Sequence, residues 1–186
     1  MSIDFYMACL NVAGRRCVVV GGGAVGREKA AGLVSCGATV TVVSPELDES
    51  FGALKVEWVR RRYRAEDLTG AFLVMAATSD RATNEQISRD AERRGMLCNV
   101  ADVPDLCNFI LPAVHREGPI AVAVSTGGAS PALAKRLRSQ IAELVQPRHA
   151  ELARELEALR PEVKERFETY EQRRDYFEEL VSERLS

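Results

Sequence analysis

The sequence predicts an α/β protein: a Rossmann-like, doubly wound parallel sheet, then a small α+β segment and a C-terminal helical region. Two observations carry this prediction. Over the first part of the chain, short continuous apolar runs alternate with helical stretches, as in parallel sheets that are buried on both faces. Beyond residue 146 the chain consists almost entirely of helix-forming residues with a repeating apolar stripe.

The first part of the chain supplies the parallel sheet and its helices. Five apolar runs are expected to be strands: Cys17–Val20, Ala38–Val43, Val56–Val59, Phe72–Ala77 and Leu97–Val100. Two stretches between them suit helices, Gly26–Cys36 and Thr83–Arg94. Each is followed by a glycine, a typical stop signal. Thr83 and Gln86 have the spacing of a capping box.

The pattern then changes. Two further strands are expected at Phe109–Pro112 and Ile120–Val124, with turn residues between them. Ser130 followed by Pro131 is typical of a helix start. Apolar residues later recur at helical spacing: Leu152, Leu156, Leu159, Val163, Phe167 and Tyr170. Pro161 is expected to break this stretch into two helices.

Composition argues against several functional classes. The chain of 186 residues carries 25 basic and 27 acidic side chains, so no overall attraction to nucleic acid or an anionic membrane is expected. No apolar run approaches the roughly 20 residues that span a bilayer, and the N-terminus lacks a signal-peptide pattern. The five cysteines are scattered and odd in number. They are expected to be reduced thiols of a cytoplasmic protein.

The sharpest motif is a glycine-rich turn directly after the first predicted strand. It fits G-x-G-x-x-G, with Gly21, Gly23 and Gly26 in the diagnostic positions and Ala24 and Val25 between them. The first glycine permits a tight turn, the second lets backbone N–H groups approach a pyrophosphate, and the third lets the helix pack on the strand. The motif predicts a dinucleotide site. The alternative is a glycine turn that packs strand and helix without a ligand.

The ends of the second and fourth strands are expected to complete this site, because ligands of open parallel sheets bind beyond the carboxyl ends of the strands. Ser44, Pro45 and Glu46 follow the second strand, where an acid usually binds the adenosine ribose. No arginine directly follows to hold a 2′-phosphate, which favours NAD over NADP. Thr78, after the fourth strand, is a further candidate for cofactor binding.

Asp102 follows the fifth strand and is therefore expected at the same edge of the sheet as the glycine loop. A carboxylate beside a nicotinamide is able to act as a general base. It is equally able to order the loop before Pro104 as an Asx-turn residue. The spacing alone leaves both roles open.

A second loop of small residues, Ser125–Pro131, leads into a helix and offers hydroxyl and N–H groups to an anionic ligand. Lys135, Arg136 and Arg138 follow within that helix, either as partners of an anion or as solvated basic residues. Neither of the two histidines has metal-ligand spacing to a cysteine, so a permanent zinc site is not expected.

Three motifs together resemble a known family. They are the glycine loop, the segment Asn99–Pro104 with Phe109 and Pro112 after it, and Val124–Ala134. Their order and spacing over residues 5–144 resemble the siroheme-synthesis family. Members of that family are precorrin-2 dehydrogenases and often also sirohydrochlorin ferrochelatases.

The resemblance implies an enzyme, an NAD-dependent precorrin-2 dehydrogenase that also inserts Fe²⁺, as a substrate, into sirohydrochlorin to give siroheme. The family's key aspartate falls on Asp102, and its NAD contacts fall on Ala24, Val25, Pro45 and Glu46. Asp102 would take the proton that leaves with the hydride. The same carboxylate would accept pyrrole protons and briefly ligate the metal.

The implied substrate carries many carboxylates, which favours basic partners. The substrate-binding candidates are Asn99, Ser125, Thr126, Gly127, Lys135, Arg136 and Arg138. His115 is a speculative second contact for the metal beside Asp102. The tetrapyrrole and the nicotinamide are expected to share one crevice.

The family also implies a symmetric homodimer with exchange of strands and helices around residues 125–144. The expected domains are an NAD-binding Rossmann domain (1–112), a dimerisation and substrate segment (113–146) and a C-terminal helical region (147–186). Three other functions stay open: a dehydrogenase without chelatase activity, a non-catalytic NAD-sensing module and a tetrapyrrole-binding carrier. The Asn99–Pro104 and Ser125–Pro131 motifs argue against the sensor, which requires neither.

Overall fold

The computed structural model describes residues 5–185. They form two compact units, which divide after Leu111. The three-part division of the chain at residues 112 and 146 stays a prediction. No helix within residues 5–185 combines the length and the apolar character that crossing a membrane requires.

The first unit is built on a five-stranded sheet with the order β3-β2-β1-β4-β5, in which every neighbouring pair is parallel. The strands are β1 (Arg16–Val20), β2 (Thr39–Val43), β3 (Glu57–Val59), β4 (Leu73–Ala76) and β5 (Leu97–Val100). The three central strands are almost completely buried, which explains why their sequences are continuous apolar runs.

Two helices cover the two faces of this sheet, α1 (Ala24–Ser35) on one side and α2 (Arg81–Glu92) on the other. Successive residues of β1 alternate between the two resulting cores: Val19 packs with Ala30 of α1, and Val18 packs with Ile87 of α2. The predicted doubly wound parallel sheet is therefore confirmed. Three short 3₁₀ turns complete the unit, at Glu49–Ala53, Ala65–Leu68 and Pro104–Leu106.

The start of α2 differs from the prediction. Asp80 is the N-cap, and its carboxylate accepts hydrogen bonds from the backbone N–H of Ala82 at 3.1 Å and from the hydroxyl of Thr83 at 2.6 Å. The helix thus begins at Arg81, and the predicted capping box of Thr83 and Gln86 is wrong. The reason is that Thr83 already donates its hydroxyl hydrogen to a better-placed cap.

The second unit contains an antiparallel hairpin, β6 (Ala113–Glu117) and β7 (Ile120–Val124), and three helices. The helices are α3 (Pro131–Leu144), α4 (Pro147–Arg166) and α5 (Tyr170–Leu185). Ser130 caps α3, as predicted, by accepting a hydrogen bond from the N–H of Leu133 at 3.2 Å. The small α+β segment and the C-terminal helical region of the predicted fold are thus present.

Two predicted boundaries in this part of the chain are wrong. Residues 109–112 are not a strand; pairing begins only at Ala113, directly after Pro112, which has no N–H to donate. Helix α4 continues through Pro161, and the break comes at residues 167–169. Thr169 and Gln172 set that break, because each accepts a hydrogen bond from the other's backbone N–H at 3.2 Å, which is a capping box for α5.

Candidate active site

The glycine loop between β1 and α1 is held by very close backbone packing. Gly21 has a φ of +124°, and its N–H donates to the carbonyl of Val43 at 3.0 Å. A Cβ on Gly21 would lie 2.3 Å from the backbone oxygen of Ala77, and one on Gly26 would lie 2.1 Å from the oxygen of Gly21. The first and third glycines of the motif are therefore required by the fold itself.

The loop also packs against the residues that follow β2. A Cβ on Gly22 would lie 1.9 Å from the backbone oxygen of Glu46 and 2.8 Å from the Oγ of Ser44. The carbonyl of Gly22 accepts a hydrogen bond from the N–H of Asp48 at 2.8 Å. Ser44 is buried, whereas Pro45 and Glu46 are exposed. The structure thus brings together the glycine loop and the three residues predicted to bind the adenosine end of the cofactor.

Gly23 is the N-cap of α1, and its surroundings differ from those of the other glycines in the motif. A Cβ placed there would meet no atom of the described residues within 4 Å. Within this described part of the chain, no side chain caps the helix and its first turn contains no acid. The N–H groups at Ala24 and Val25 therefore begin the helix beside open space. We call Gly23, Ala24 and Val25 the glycine cradle. A dinucleotide pyrophosphate fits there, because a pyrophosphate needs free N–H donors and no Cβ in the way.

Thr78 lies after β4, and its side chain is used inside the protein. Its hydroxyl donates to Oδ1 of Asn84 at 2.8 Å, and its carbonyl accepts from Nδ2 of Asn84 at 2.9 Å. The hydroxyl also accepts from the N–H of Asp80 at 3.2 Å. Thr78 therefore connects the end of β4 to the start of α2. Its predicted contact with the cofactor stays a prediction.

Asp102 and the glycine loop both lie beyond the carboxyl ends of the parallel strands. Backbone hydrogen bonds keep these strand ends aligned. The N–H of Ala77 donates to the carbonyl of Val20 at 2.8 Å, and the N–H of Ala101 donates to the carbonyl of Ala76 at 2.9 Å. The side chain of Asp102 is exposed. Among residues 5–185 it is the one non-glycine residue with a left-handed backbone, at a φ of +60°. Such conformations store strain and are frequent at functional sites.

Asn99 is buried, and its amide faces the loop that follows β5 rather than solvent. Its Nδ2 donates to the carbonyl of Phe109 at 3.1 Å. Two residues that sequence reasoning missed, Cys107 and Asn108, bind the outer edge of β5 from the same loop. A Cys-Asn pair is not a recognised motif, so no sequence signal could have found them.

The other predicted substrate residues lie in the second unit. The hydroxyl of Ser125 accepts from the N–H of Gly127 at 3.2 Å, and that of Thr126 accepts from the N–H of Ser130 at 3.0 Å. This loop is therefore ordered by its own hydroxyl groups. On α3, Lys135 and Arg136 are exposed, while Arg138 is half-buried and donates to the Oγ of Ser139 at 3.2 Å.

His115 lies on β6, on the less exposed face of the hairpin. Its Nε2 is buried and has no hydrogen-bond partner among the described residues. His115 and Asp102, the two predicted metal contacts, fall in different compact units. Within residues 5–185 no group of three or more His, Cys, Asp or Glu side chains is arranged to hold a metal ion.

Comparison with known proteins matches three family models in succession. A putative NAD(P)-binding model covers residues 8–113, a sirohaem biosynthesis protein central model covers 117–144, and a sirohaem synthase dimerisation region covers 148–186. The chain is 39% identical over 184 residues to the siroheme synthase of Nitrosomonas eutropha and 40% identical over 183 residues to that of Thioalkalivibrio sulfidiphilus. These matches cover 96% of this chain but only 39% and 37% of those relatives.

A solved structure named SirC, precorrin-2 dehydrogenase, is similar over almost the whole chain. The match has a TM-score of 0.80 and 26% sequence identity, and it covers 98% of this chain and 93% of that one. The glycine cradle lies inside the segment that matches the putative NAD(P)-binding model, which spans more than half of the chain. The chain therefore belongs to the siroheme-synthase family of proteins that carry this NAD(P)-binding domain.

Proposed function

We propose that this chain is an NAD-dependent precorrin-2 dehydrogenase that forms sirohydrochlorin in siroheme biosynthesis. The observation that carries the proposal is the exposed carboxylate of Asp102, which has a left-handed backbone. It lies beyond the carboxyl ends of the strands, where the glycine cradle also lies. The likeness to SirC, a precorrin-2 dehydrogenase, supports the substrate. The siroheme synthases that the chain matches support the pathway, although the chain spans about two fifths of their length.

The chain's own residues would bind and orient the cofactor. Ala24 and Val25 would donate N–H groups to the pyrophosphate at the start of α1, while Ser44, Pro45 and Glu46 would contact the adenosine ribose. The exposed carboxylate of Glu46 disfavours a second phosphate there, so we assign NAD rather than NADP. When bound, NAD⁺ supplies a hydride acceptor.

Asp102 would supply the base. Oxidation of precorrin-2 removes a hydride and a proton, and the carboxylate oxygens of Asp102 would take that proton, directly or through water. No other described side chain hydrogen-bonds this carboxylate, so both of its oxygens are available. The role of Thr78 toward NAD rests on its position after β4. The roles toward the substrate rest on the family resemblance and on the carboxylates of the substrate; they are assigned to Asn99, Ser125, Thr126, Gly127, Lys135, Arg136 and Arg138.

The deciding experiment is the anaerobic oxidation of precorrin-2 with NAD⁺, followed by absorbance, in wild type and in Asp102→Asn. Asparagine keeps the shape of the side chain and its tolerance of a left-handed backbone, but it accepts no proton. We expect kcat to fall about 10²- to 10⁴-fold while the affinity for NAD is unchanged. Equal rates for the two proteins would remove Asp102 from the mechanism. Replacing NAD⁺ by NADP⁺ in the same assay tests the choice of cofactor.

We also propose that the protein inserts Fe²⁺ into sirohydrochlorin to give siroheme. This reaction releases two pyrrole protons, which the exposed carboxylate of Asp102 would accept one at a time and pass to water, with His115 as a second contact for the incoming metal. Incubation of sirohydrochlorin with Fe²⁺, with and without the protein, measures it directly. An unchanged rate would mean that the protein is a dehydrogenase without chelatase activity. We further propose that the protein is a homodimer and that it acts in the cytoplasm.

A further inference from the structure

Strand β5 lies at the edge of the sheet, yet side chains bind its outward backbone groups. Asn108 pairs with it much as a neighbouring strand would. Its Oδ1 accepts from the N–H of Cys98 at 2.7 Å, its N–H donates to the carbonyl of Cys98 at 3.1 Å, and its Nδ2 donates to the carbonyl of Met96 at 2.8 Å. These bonds fix the loop after β5 to the strand.

Cys107 continues this pairing at the last residue of the strand. Its Sγ accepts from the N–H of Val100 at 3.1 Å, and the sulfur faces the carbonyl oxygens of Val100 at 3.2 Å and Val103 at 3.3 Å. Val100 and Val103 are the two ends of the turn that contains Ala101 and Asp102. One thiol therefore contacts both ends of the turn that presents the carboxylate.

The thiol is suited to this position because it keeps its proton. Burial raises the pKa of Cys107, and a hydrogen bond from the N–H of Val100 offsets only part of that effect. At neutral pH the sulfur is therefore both an S–H donor toward a carbonyl and an acceptor from the N–H of Val100. A thiolate would face two carbonyl oxygens without a proton to share.

The turn needs such support, because a left-handed aspartate persists only where its surroundings fix it. The direct bond across the turn, from the N–H of Val103 to the carbonyl of Val100, is long at 3.3 Å. We propose that Cys107 is a positioning residue, which acts through Val100 and Val103 to hold Asp102 in its left-handed conformation. The inference rests on the proposed function of Asp102 as the base.

Activity provides the first test. Cys107→Ala removes the thiol that contacts both ends of the turn. Since a catalytic group misplaced by about 1 Å costs about 100-fold in rate, we expect kcat for precorrin-2 oxidation to fall about 10- to 100-fold. The KM for NAD should be unchanged, because β4 separates β5 from β1, whose end carries the glycine cradle. Cys107→Ser keeps a donor and an acceptor and should restore most of the rate. The matched control is Cys17→Ala, which removes a buried thiol of β1 that packs in the other core, on the α1 side.

A double mutant separates this inference from the proposed function. If Cys107 acts through Asp102, Cys107→Ala should have almost no further effect on kcat in the Asp102→Asn background. If Asp102→Asn alone matches wild type, the proposed base is wrong. If Asp102→Asn is slow but Cys107→Ala matches wild type, only the positioning role is wrong.

A readout without turnover completes the test. In the unliganded protein, amide hydrogen exchange at Val100 and the backbone chemical shifts of Asp102 report the turn directly. We expect faster exchange and a shifted Asp102 signal in Cys107→Ala, and values close to wild type in Cys107→Ser and in Cys17→Ala. An unperturbed Asp102 signal in Cys107→Ala would overturn the proposal even if the rate had fallen.

Discussion

At the scale of single residues, the glycine loop separates what the fold needs from what a ligand needs. Gly22 has no room for a methyl group, since a Cβ would lie 1.9 Å from a backbone oxygen of Glu46. Gly23, one residue later, faces open space among the described residues and has an ordinary extended backbone. The two neighbouring glycines therefore predict opposite phenotypes.

We expect Gly23→Ala to fold normally, with stability reduced by less than about 1 kcal/mol, but to bind NAD at least about 10-fold more weakly, because its methyl group occupies the space of the pyrophosphate. Gly22→Ala should instead lower the free energy of unfolding by about 1–3 kcal/mol. Thermal unfolding and calorimetric titration with NAD⁺ measure the two effects. NAD binding by Gly23→Ala as tight as wild type would place the cofactor elsewhere.

At the scale of elements, burial decided which predictions succeeded. Cys17–Val20 and Leu97–Val100 were predicted within one residue of the observed strands, since apolar residues that are buried on both faces leave an unmistakable pattern. The strand expected at 109–112 was wrong because pairing with β7 begins only after Pro112, which has no N–H to donate. Cys107 and Asn108, just before it, bind the outer edge of β5, and this pairing through side chains has no periodicity to detect.

The candidate site also contains features that the sequence predicts and features that it does not. The glycine loop and the position of Asp102 could be predicted, because parallel strands place their carboxyl ends together. The left-handed backbone of Asp102 and its contact with Cys107 through Val100 could not, since both depend on tertiary hydrogen bonds. Thr78 and Asn99 were predicted as ligand contacts, which stays a prediction; in the structure both hold neighbouring elements in place.

The 3₁₀ turn at Ala65–Leu68 carries a pH-dependent contribution to stability. Burial alone would raise the pKa of Asp67, but hydrogen bonds from the guanidinium of Arg61, at 2.6 and 2.8 Å, and from the N–H of Arg64, at 2.8 Å, lower it below 3.8. A carboxyl whose pKa is lowered by folding stabilises the native state above its unfolded pKa. That stabilisation is lost as the pH falls below about 4.

We therefore expect Asp67→Asn to lower the free energy of unfolding at pH 7 by about 2 kcal/mol. The difference from wild type should shrink as the pH falls below about 4 and the native carboxyl also becomes protonated. Urea unfolding over this pH range measures it. Glu66→Gln, an exposed neighbour in the same turn, is the control. A difference that stays constant with pH would show that the charge of Asp67 contributes nothing.

At the scale of the whole molecule, the second unit leaves apolar side chains uncovered. Leu133, Leu137 and Leu144 of α3 are 50%, 38% and 72% exposed, and their spacing places them on one face of the helix. Val114, on the outer face of the hairpin, is 37% exposed. The sequence from residue 148 matches a sirohaem synthase dimerisation region. Both observations are what the proposed homodimer would require.

If the leucine face of α3 lies in a homodimer interface, Leu137→Asp should raise the dimer dissociation constant at least about 100-fold, because it buries an unpaired charge. Ala132→Asp adds the same charge to the same helix, on an exposed position away from this face, and should leave the dimer intact. Sedimentation velocity over a range of concentrations distinguishes the variants, while circular dichroism checks that each is folded. A wild type that sediments as a monomer would refute the homodimer itself, whereas a dimeric Leu137→Asp would refute only this face. The hairpin would then be the surface to test next, because Val114 on its outer face is also exposed.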